Sequence, residues 1–252
     1  MRAVSSGPGA YRDFTYPLNV FMHILTHEEG EVAYLHYGLF ERPDEPLLAA
    51  QERSTELLVS RLPPPPARLL EVGVGLGTTL SRLMKRGYDV TGITPDASQI
   101  EMVRARHPHA AVRCIRFEDF PPAAPFDAVF FQESSQYIDA NALFAKAREL
   151  TSHVVVLDEF AMRDQGTLHR YDAFLDAARA NDFALVEDLD VSQKAPPTMD
   201  YFMTRIPKYR QRLIEDLGLD SQHVDDLLAS GRAYIDLYRR GAYAYHLLQF
   251  RR

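Results

Sequence analysis

The chain has 252 residues, 46% hydrophobic and 25% charged, the balance of a soluble globular fold long enough to need no metal or disulfide staple. Lys plus Arg is 28 and Asp plus Glu is 35, a net charge of −7, which argues against a broad nucleic-acid surface. The single cysteine, Cys114, excludes an intramolecular disulfide and any cysteine-based zinc cluster.

No apolar run approaches the roughly 18–20 residues of a membrane span. Met1 to Pro8 lacks the apolar stretch of a signal peptide. A cytoplasmic protein without a membrane span is the expectation. Tyr11 to Phe40 is rich in aromatic residues and histidines but has no strong period. Pro46 to Leu62 reads as a helix, with Leu47, Leu48, Leu57, Leu58 and Leu62 apolar. Four prolines, Pro63 to Pro66, form a stiff connector after it.

Beyond the prolines the pattern alternates. Strands are expected at Arg68 to Val72, Tyr88 to Ile93, Ala111 to Phe117, Phe126 to Phe131, His153 to Leu157 and Phe183 to Val191. Helices are expected at Thr78 to Arg86, Ser98 to Arg106, Asn141 to Leu150 and Thr167 to Ala180. Such alternation means βαβ units and a mostly parallel sheet. Ligands then bind beyond the carboxyl ends of the strands, where strand order reverses. Pro196 and Pro197 close this part. Two helices, Met199 to Leu217 and Ser221 to Tyr238, precede a last strand, Ala242 to Phe250. The expected fold is α/β, a mostly parallel seven-stranded sheet with helices on both faces. An N-terminal helical and aromatic cap spans 1–66, the core 67–195, a helical lid insertion 196–241 and the final strand 242–252.

The sharpest feature is Leu69-Leu70-Glu71-Val72-Gly73-Val74-Gly75-Leu76-Gly77-Thr78-Thr79. A strand runs into a glycine turn, and a helix follows. Glycine lets backbone N–H groups approach a ligand closely, and the helix N-terminus favours negative charge. The spacing is G-x-G-x-G rather than the G-x-G-x-x-G of dinucleotide sites. Glu71 would repel a pyrophosphate but pair with an ammonium. A ligand with an amino-acid end therefore fits better than a nicotinamide dinucleotide.

This segment resembles motif I of class I S-adenosyl-L-methionine (SAM) methyltransferases, which implies a Rossmann-like core. Val90-Thr91-Gly92-Ile93-Thr94-Pro95-Asp96-Ala97-Ser98-Gln99 looks like the corresponding stretch of cyclopropane synthases and of sterol and tocopherol C-methyltransferases. There a Thr and a Gln contact the cofactor, here Thr94 and Gln99. Asp96 interrupts the pattern; it is either a ribose contact or part of a polar helix cap. Arg116-Phe117-Glu118-Asp119 matches the adenine-flanking stretch, with Phe117 against the ring and Glu118 toward its amine. Phe126-Asp127-Ala128-Val129 through Tyr137 looks like motif IV of the same group. It places Gln132 at the cofactor and Glu133 at the group's acidic position. Tyr137 stands where relatives carry a His, which argues against cyclopropanation. Tyr34 to Phe40 looks like the segment these enzymes place before motif I, with Tyr37 reaching the cofactor's carboxylate end.

The resemblance implies that Glu71, Gly73, Gly75, Gly77, Thr94, Gln99, Phe117, Glu118, Gln132 and Tyr37 bind SAM, which leaves as S-adenosyl-L-homocysteine. The candidate catalytic residues are Glu133 and Tyr137 at the fourth strand, Glu159 at the fifth and His36 in the N-terminal segment. His23 and His27 share a face if their segment is helical, but no third ligand is in view and no metal is expected. His107, His109, His153 and His169 look like surface or turn residues, and His246 like a satisfied strand histidine. The function implied is methyl transfer to a small, largely apolar or aromatic metabolite. Carbon is slightly favoured over oxygen or nitrogen of a natural product. The alternative is a non-catalytic SAM-binding protein, or a SAM-bound enzyme of non-methyl chemistry. The only partner implied is a small-molecule acceptor, with no nucleic acid. The aromatic-rich insertion also offers a homodimer interface.

Overall fold

The computed structural model describes residues 11–252 except 13, 122–123 and 165; the signal-peptide reading of Met1 to Pro8 lies outside that range. Seven strands form one sheet: β1 Arg68–Val72, β2 Asp89–Thr94, β3 Ala111–Cys114, β4 Ala128–Gln132, β5 His153–Ala161, β6 Ala184–Asp190 and β7 Tyr243–Arg251. Their order is β3-β2-β1-β4-β5-β7-β6. The first five are mutually parallel, and β7 runs antiparallel between β5 and β6. The expected mostly parallel seven-stranded sheet is present.

Side chains alternate across each strand, so a sheet covered on both faces needs apolar residues at every position. Adjacent Leu69 and Leu70 of β1 enter different apolar clusters, as do Phe130 and Phe131 of β4 and Val155 and Val156 of β5. All nine residues of β5 are buried. Helices α3 Thr78–Lys85, α4 Ala97–Arg106, α5 Ala140–Leu150 and α6 Tyr171–Ala180 complete the alternation. Strand order reverses between β1 and β4, and that crevice is where a ligand site belongs.

Four further helices stand outside this layer: α1 Leu18–Glu29, α2 Leu47–Val59, α7 Pro197–Leu217 and α8 Ser221–Arg239. They share an apolar cluster that includes Val20, Ile24, Leu47, Ile206, Leu213 and Val224. Helix α7 contacts both α1 and α8. Among the described residues no helix is long and apolar enough to cross a membrane.

The structure departs from the sequence reading at helix α6, which starts at Tyr171 rather than Thr167, at His246, whose Nε2 has no hydrogen-bond partner among the described residues, and in four further places. Helix α1 lies in the stretch without a period, because Asn19, Val20, Met22, His23, Ile24 and Leu25 are all buried. A helix covered around most of its girth has no amphipathic stripe to detect. Strand β3 stops at Cys114 rather than Phe117, because its only neighbour, β2, ends at Thr94 before Pro95, and proline has no N–H to donate. Strand β5 continues four residues beyond Leu157, paired with β7 as far as Ala161. His153 is fully buried at the start of β5 rather than on the surface; its ring bonds Gln249 at 2.8 Å.

Candidate active site

The glycine turn opens directly from β1. Gly73 and Val74 donate their N–H groups to the Ile93 carbonyl at 2.8 and 3.1 Å. Gly73, Gly75 and Gly77 have φ of 80°, 51° and 77°, a region in which L side chains are strained. The three positions differ in what surrounds them. A Cβ on Gly73 would meet Ser134 Cβ at 2.4 Å, and one on Gly77 would meet Val103 at 2.8 Å. A Cβ on Gly75 would find nothing nearer than Leu35 at 3.8 Å. Two glycines thus permit close packing, and the middle one borders open space.

Glu71, at 4% exposure, has one carboxylate oxygen with no hydrogen-bond partner among the described residues. Burial holds its pKa well above the usual carboxylate range. An orphaned carboxylate fits the ammonium of an amino-acid ligand, and no Lys or Arg among the described residues pairs with it. At the end of β2, Thr94 donates its hydroxyl to Gln99 Oε1 at 3.2 Å. Asp96 accepts from the N–H groups of Ser98 and Gln99 at 2.8 and 3.2 Å. It is the N-cap of α4, which accounts for the acid inserted in that motif. Phe117 is buried edge-on to Phe131, with ring centroids 5.3 Å apart. Glu118 pairs with Arg116 at 2.7 Å.

A second group of residues surrounds the ends of β4 and β5. Glu133 follows β4 with φ of 53°, uncommon for a residue with a side chain. Its Oε1 accepts from the Tyr37 backbone N–H and the Tyr245 hydroxyl, both at 2.6 Å. Oε2 has no hydrogen-bond partner among the described residues, so it is free for a ligand. Burial, reinforced by the charge of Glu159, raises the Glu133 pKa well above normal. Glu159 accepts from the Tyr234 hydroxyl at 2.7 Å and from the Tyr238 hydroxyl. Burial pushes its pKa up to about 7. Asp158 accepts from the N–H and hydroxyl of Ser135 at 2.9 and 2.7 Å, and so orders the turn Ser135–Tyr137. Burial raises it as well. The charges that act most on Glu133 and Glu159 are other carboxylates, and hydrogen bonds hold Asp158. Tyr37 stacks on Tyr245 with centroids 6.1 Å apart, and Tyr137 stands at the rim with 79% exposure.

His36 has both nitrogens engaged. Nδ1 donates to the Tyr37 carbonyl at 2.9 Å, and Nε2 accepts from the Thr55 hydroxyl at 3.1 Å. Burial keeps it neutral, with a pKa of about 4. The ring therefore shapes the loop that presents the Tyr37 N–H to Glu133. Gln132 approaches Thr79, Ser54 and Thr55 at 3.4–3.5 Å, beside the same loop.

The structure thus brings together Tyr37, Glu133 and Glu159 from the sequence-derived set, and sets Tyr137 at their edge. Tyr234, Tyr238 and Tyr245 complete the cluster. The sequence reading placed the first two in a lid stripe and did not single out the third. The i, i+4 spacing of Tyr234 and Tyr238 and the alternation Ala242-Tyr243-Ala244-Tyr245 carried the available signal. Buried carboxylates beside tyrosine rings are groups that can stabilise positive charge.

Residues 69–154 match the family model described as a methyltransferase domain. Among curated proteins no match was found. Solved structures are similar over nearly the whole chain. The cyclopropane synthase MmaA2 from Mycobacterium tuberculosis is 15% identical, with 97% of each chain covered and a TM-score of 0.80. The (4+2)-cyclase SpnF is 20% identical, with 91% of each chain covered and a TM-score of 0.76. A geranyl diphosphate C-methyltransferase from Streptomyces coelicolor is 18% identical, with 94% of this chain and 99% of that chain covered and a TM-score of 0.68. At such identities the likeness is one of fold.

Proposed function

We infer that this chain, a class I SAM-dependent methyltransferase by its domain at residues 69–154 and by its fold, methylates a carbon of a small, largely apolar or aromatic metabolite. The observation that carries this reading is the cluster of Glu133, Asp158 and Glu159 beside Tyr37, Tyr234, Tyr238 and Tyr245, which would form one substrate chamber. Glu71, Gly73, Gly75 and Gly77 would hold the amino-acid end of the cofactor, together with Tyr37. Thr94, Gln99, Phe117, Glu118 and Gln132 would bracket its nucleoside. When bound, SAM supplies an electrophilic methyl group on a sulfonium.

The chain's own residues do the rest. An alkene or enol carbon that gains a methyl cation acquires positive charge and must then lose a proton. The faces of Tyr37 and Tyr245 and the carboxylates steady that charge. Glu159, with a pKa of about 7, is poised to accept the proton near neutral pH. Glu133 Oε2 orients the acceptor, Tyr137 lines the mouth, and His36 is a positioning residue. Alignment of acceptor and methyl group beside the neighbouring sheet ends would supply a large share of the acceleration. A preformed cationic amine would fit the same chamber, so N-methylation is the second reading. Non-methyl chemistry on bound SAM is the alternative; the similar fold of the (4+2)-cyclase SpnF supports keeping it.

The test begins with calorimetric titration of S-adenosyl-L-homocysteine, with NADH as control. Micromolar binding of the first and none of the second is expected. Labelled SAM is then offered with alkene, enol, phenol and amine acceptors. Label recovered only on hydroxyls or amines would overturn the carbon preference. Cofactor binding with no transfer to any acceptor would favour the non-methyl alternative.

A further inference from the structure

We propose that His23, His27 and Asp216 form a binding site for a divalent transition metal of the zinc class, joining the N-terminal cap helix to the lid helix. His23 and His27 lie one turn apart on α1, and Asp216 lies near the end of α7. One nitrogen of each ring and an Asp216 carboxylate oxygen all lie within 4.8 Å of one another. Donor atoms around a tetrahedral zinc stand roughly 3.3 Å apart, given bonds of about 2.0–2.1 Å. Small side-chain rotations close that gap.

The arrangement is already preorganised. His23 Nε2 lies 2.8 Å from Asp216 Oδ2, which fixes the ring and the carboxylate together. His23 is 3% exposed, and its Nδ1 has no hydrogen-bond partner among the described residues. The bare Nδ1 puts the ring proton on Nε2, between the imidazole and the Asp216 carboxylate; a metal shared by these two groups would take that proton's place, leaving neutral imidazole as the ligand. The two imidazole rings are 4.5 Å apart, and the Tyr209 ring stacks on His27 at 5.5 Å. Those contacts limit where the second ring can swing.

Two imidazoles and one carboxylate leave a fourth position open to solvent at the exposed His27 side. Two residues oppose a cation there: the Arg212 guanidinium stands 3.4 Å from His27 Nδ1, and Arg12 donates to the Asp216 backbone carbonyl at 3.1 Å. Arg212 is exposed and free to turn outward, so it weakens the site without blocking it. The consequence is mechanical. The cap carries the loop leading to Tyr37, and the lid leads into α8 with Tyr234 and Tyr238. A metal between α1 and α7 would staple the two flaps that border the chamber.

The experiment uses the full-length chain, freed of metal by a chelator. Zn²⁺ is titrated calorimetrically, and Co²⁺ is followed by its visible absorption. One equivalent should bind in the micromolar range or tighter, and the melting temperature should rise with Zn²⁺. His27→Ala, at an exposed position that tolerates truncation, should weaken binding at least tenfold and lose the thermal shift. Asp216→Asn should do the same, while Arg212→Ala should tighten binding severalfold. Absence of stoichiometric binding, or equal binding by His27→Ala, would overturn the site. Binding of S-adenosyl-L-homocysteine by His27→Ala should stay within twofold of the parent, which keeps this test separate from the cofactor reading.

Discussion

Glu133, just past β4, and Glu159, inside β5, have different parts in the proposed reaction. Glu159 sits near pKa 7 because burial outweighs two tyrosine donors. If it accepts the substrate proton, turnover rises with pH through about 7 and then levels. Glu159→Gln should lower kcat by about 10²–10⁴-fold, the usual worth of a general base, and should flatten the pH profile. A glutamine variant that keeps the parent profile would remove the assignment. Glu133 has a different part, since one of its oxygens is saturated by Tyr37 and Tyr245. Glu133→Gln should reduce turnover at least tenfold and leave S-adenosyl-L-homocysteine affinity nearly unchanged. Equal losses in both would make Glu133 a cofactor ligand instead. Glu71 gives a third reading at this scale. Burial raises its pKa well above the usual carboxylate range, and an ammonium ligand would favour its ionised form. Cofactor affinity should therefore rise with pH below its raised pKa. Glu71→Gln should bind more weakly and without that slope, as titrations in buffers across the range would show.

At the scale of the element, the glycine turn separates packing from binding. Gly73 and Gly75 both have positive φ, so alanine strains the backbone at either, by about 1–3 kcal/mol. Only at Gly73 does the new Cβ also strike Ser134, at 2.4 Å. Overpacking adds about 1–3 kcal/mol there. Gly73→Ala should thus cost clearly more stability than Gly75→Ala in denaturant unfolding. Gly75→Ala should chiefly weaken cofactor binding, because its neighbourhood is open. Equal destabilisation of the two would show that the turn is not divided in this way. This turn and the strand-helix alternation around it were readable because they are local: a strand, three glycines and a helix in eighteen consecutive residues, Arg68 to Lys85. Helix α1 was not readable, since its burial is imposed by α7 and by the rest of the cap cluster and no stripe marks it. The end of β3 was hidden for a similar reason, being set by Pro95 of the neighbouring strand rather than by its own residues. Asp96 was ambiguous in sequence, and only its two N–H donors identify it as a cap.

Across the whole molecule, one cluster is assembled from Tyr37, Glu133, Glu159, Tyr234, Tyr238 and Tyr245, residues as far apart in sequence as the N-terminal segment and the last strand. Glu133 and Glu159 were visible as acids following expected strands, but their tyrosine partners come from α8 and β7, which no local pattern links to them. Asp216 was invisible as a partner of His23 and His27 for the same reason. Collecting buried acids in one region also couples stability to pH. Glu71, Glu133, Asp158 and Glu159 all have folded pKa values raised by burial. Each stabilises the fold while protonated in both states, and that contribution is lost as pH rises through its folded value. His36 and His153 act in the opposite direction, both lowered by burial to about 4. Their contribution is complete above the ordinary histidine value of 6.5 and is lost as pH falls toward 4. Above pH 6.5 the histidines are therefore constant and the carboxylates dominate. The melting temperature of the ligand-free chain should fall from pH 6.5 to 8.5, and the fall should shrink in Glu159→Gln, which cannot ionise. A cationic ligand compensates the buried charge, so saturating SAM should flatten the same curve. Calorimetric scans at fixed ionic strength would measure it, and a melting temperature that rises or holds steady over this interval in the free chain would mean that these carboxylates are not held protonated by the fold.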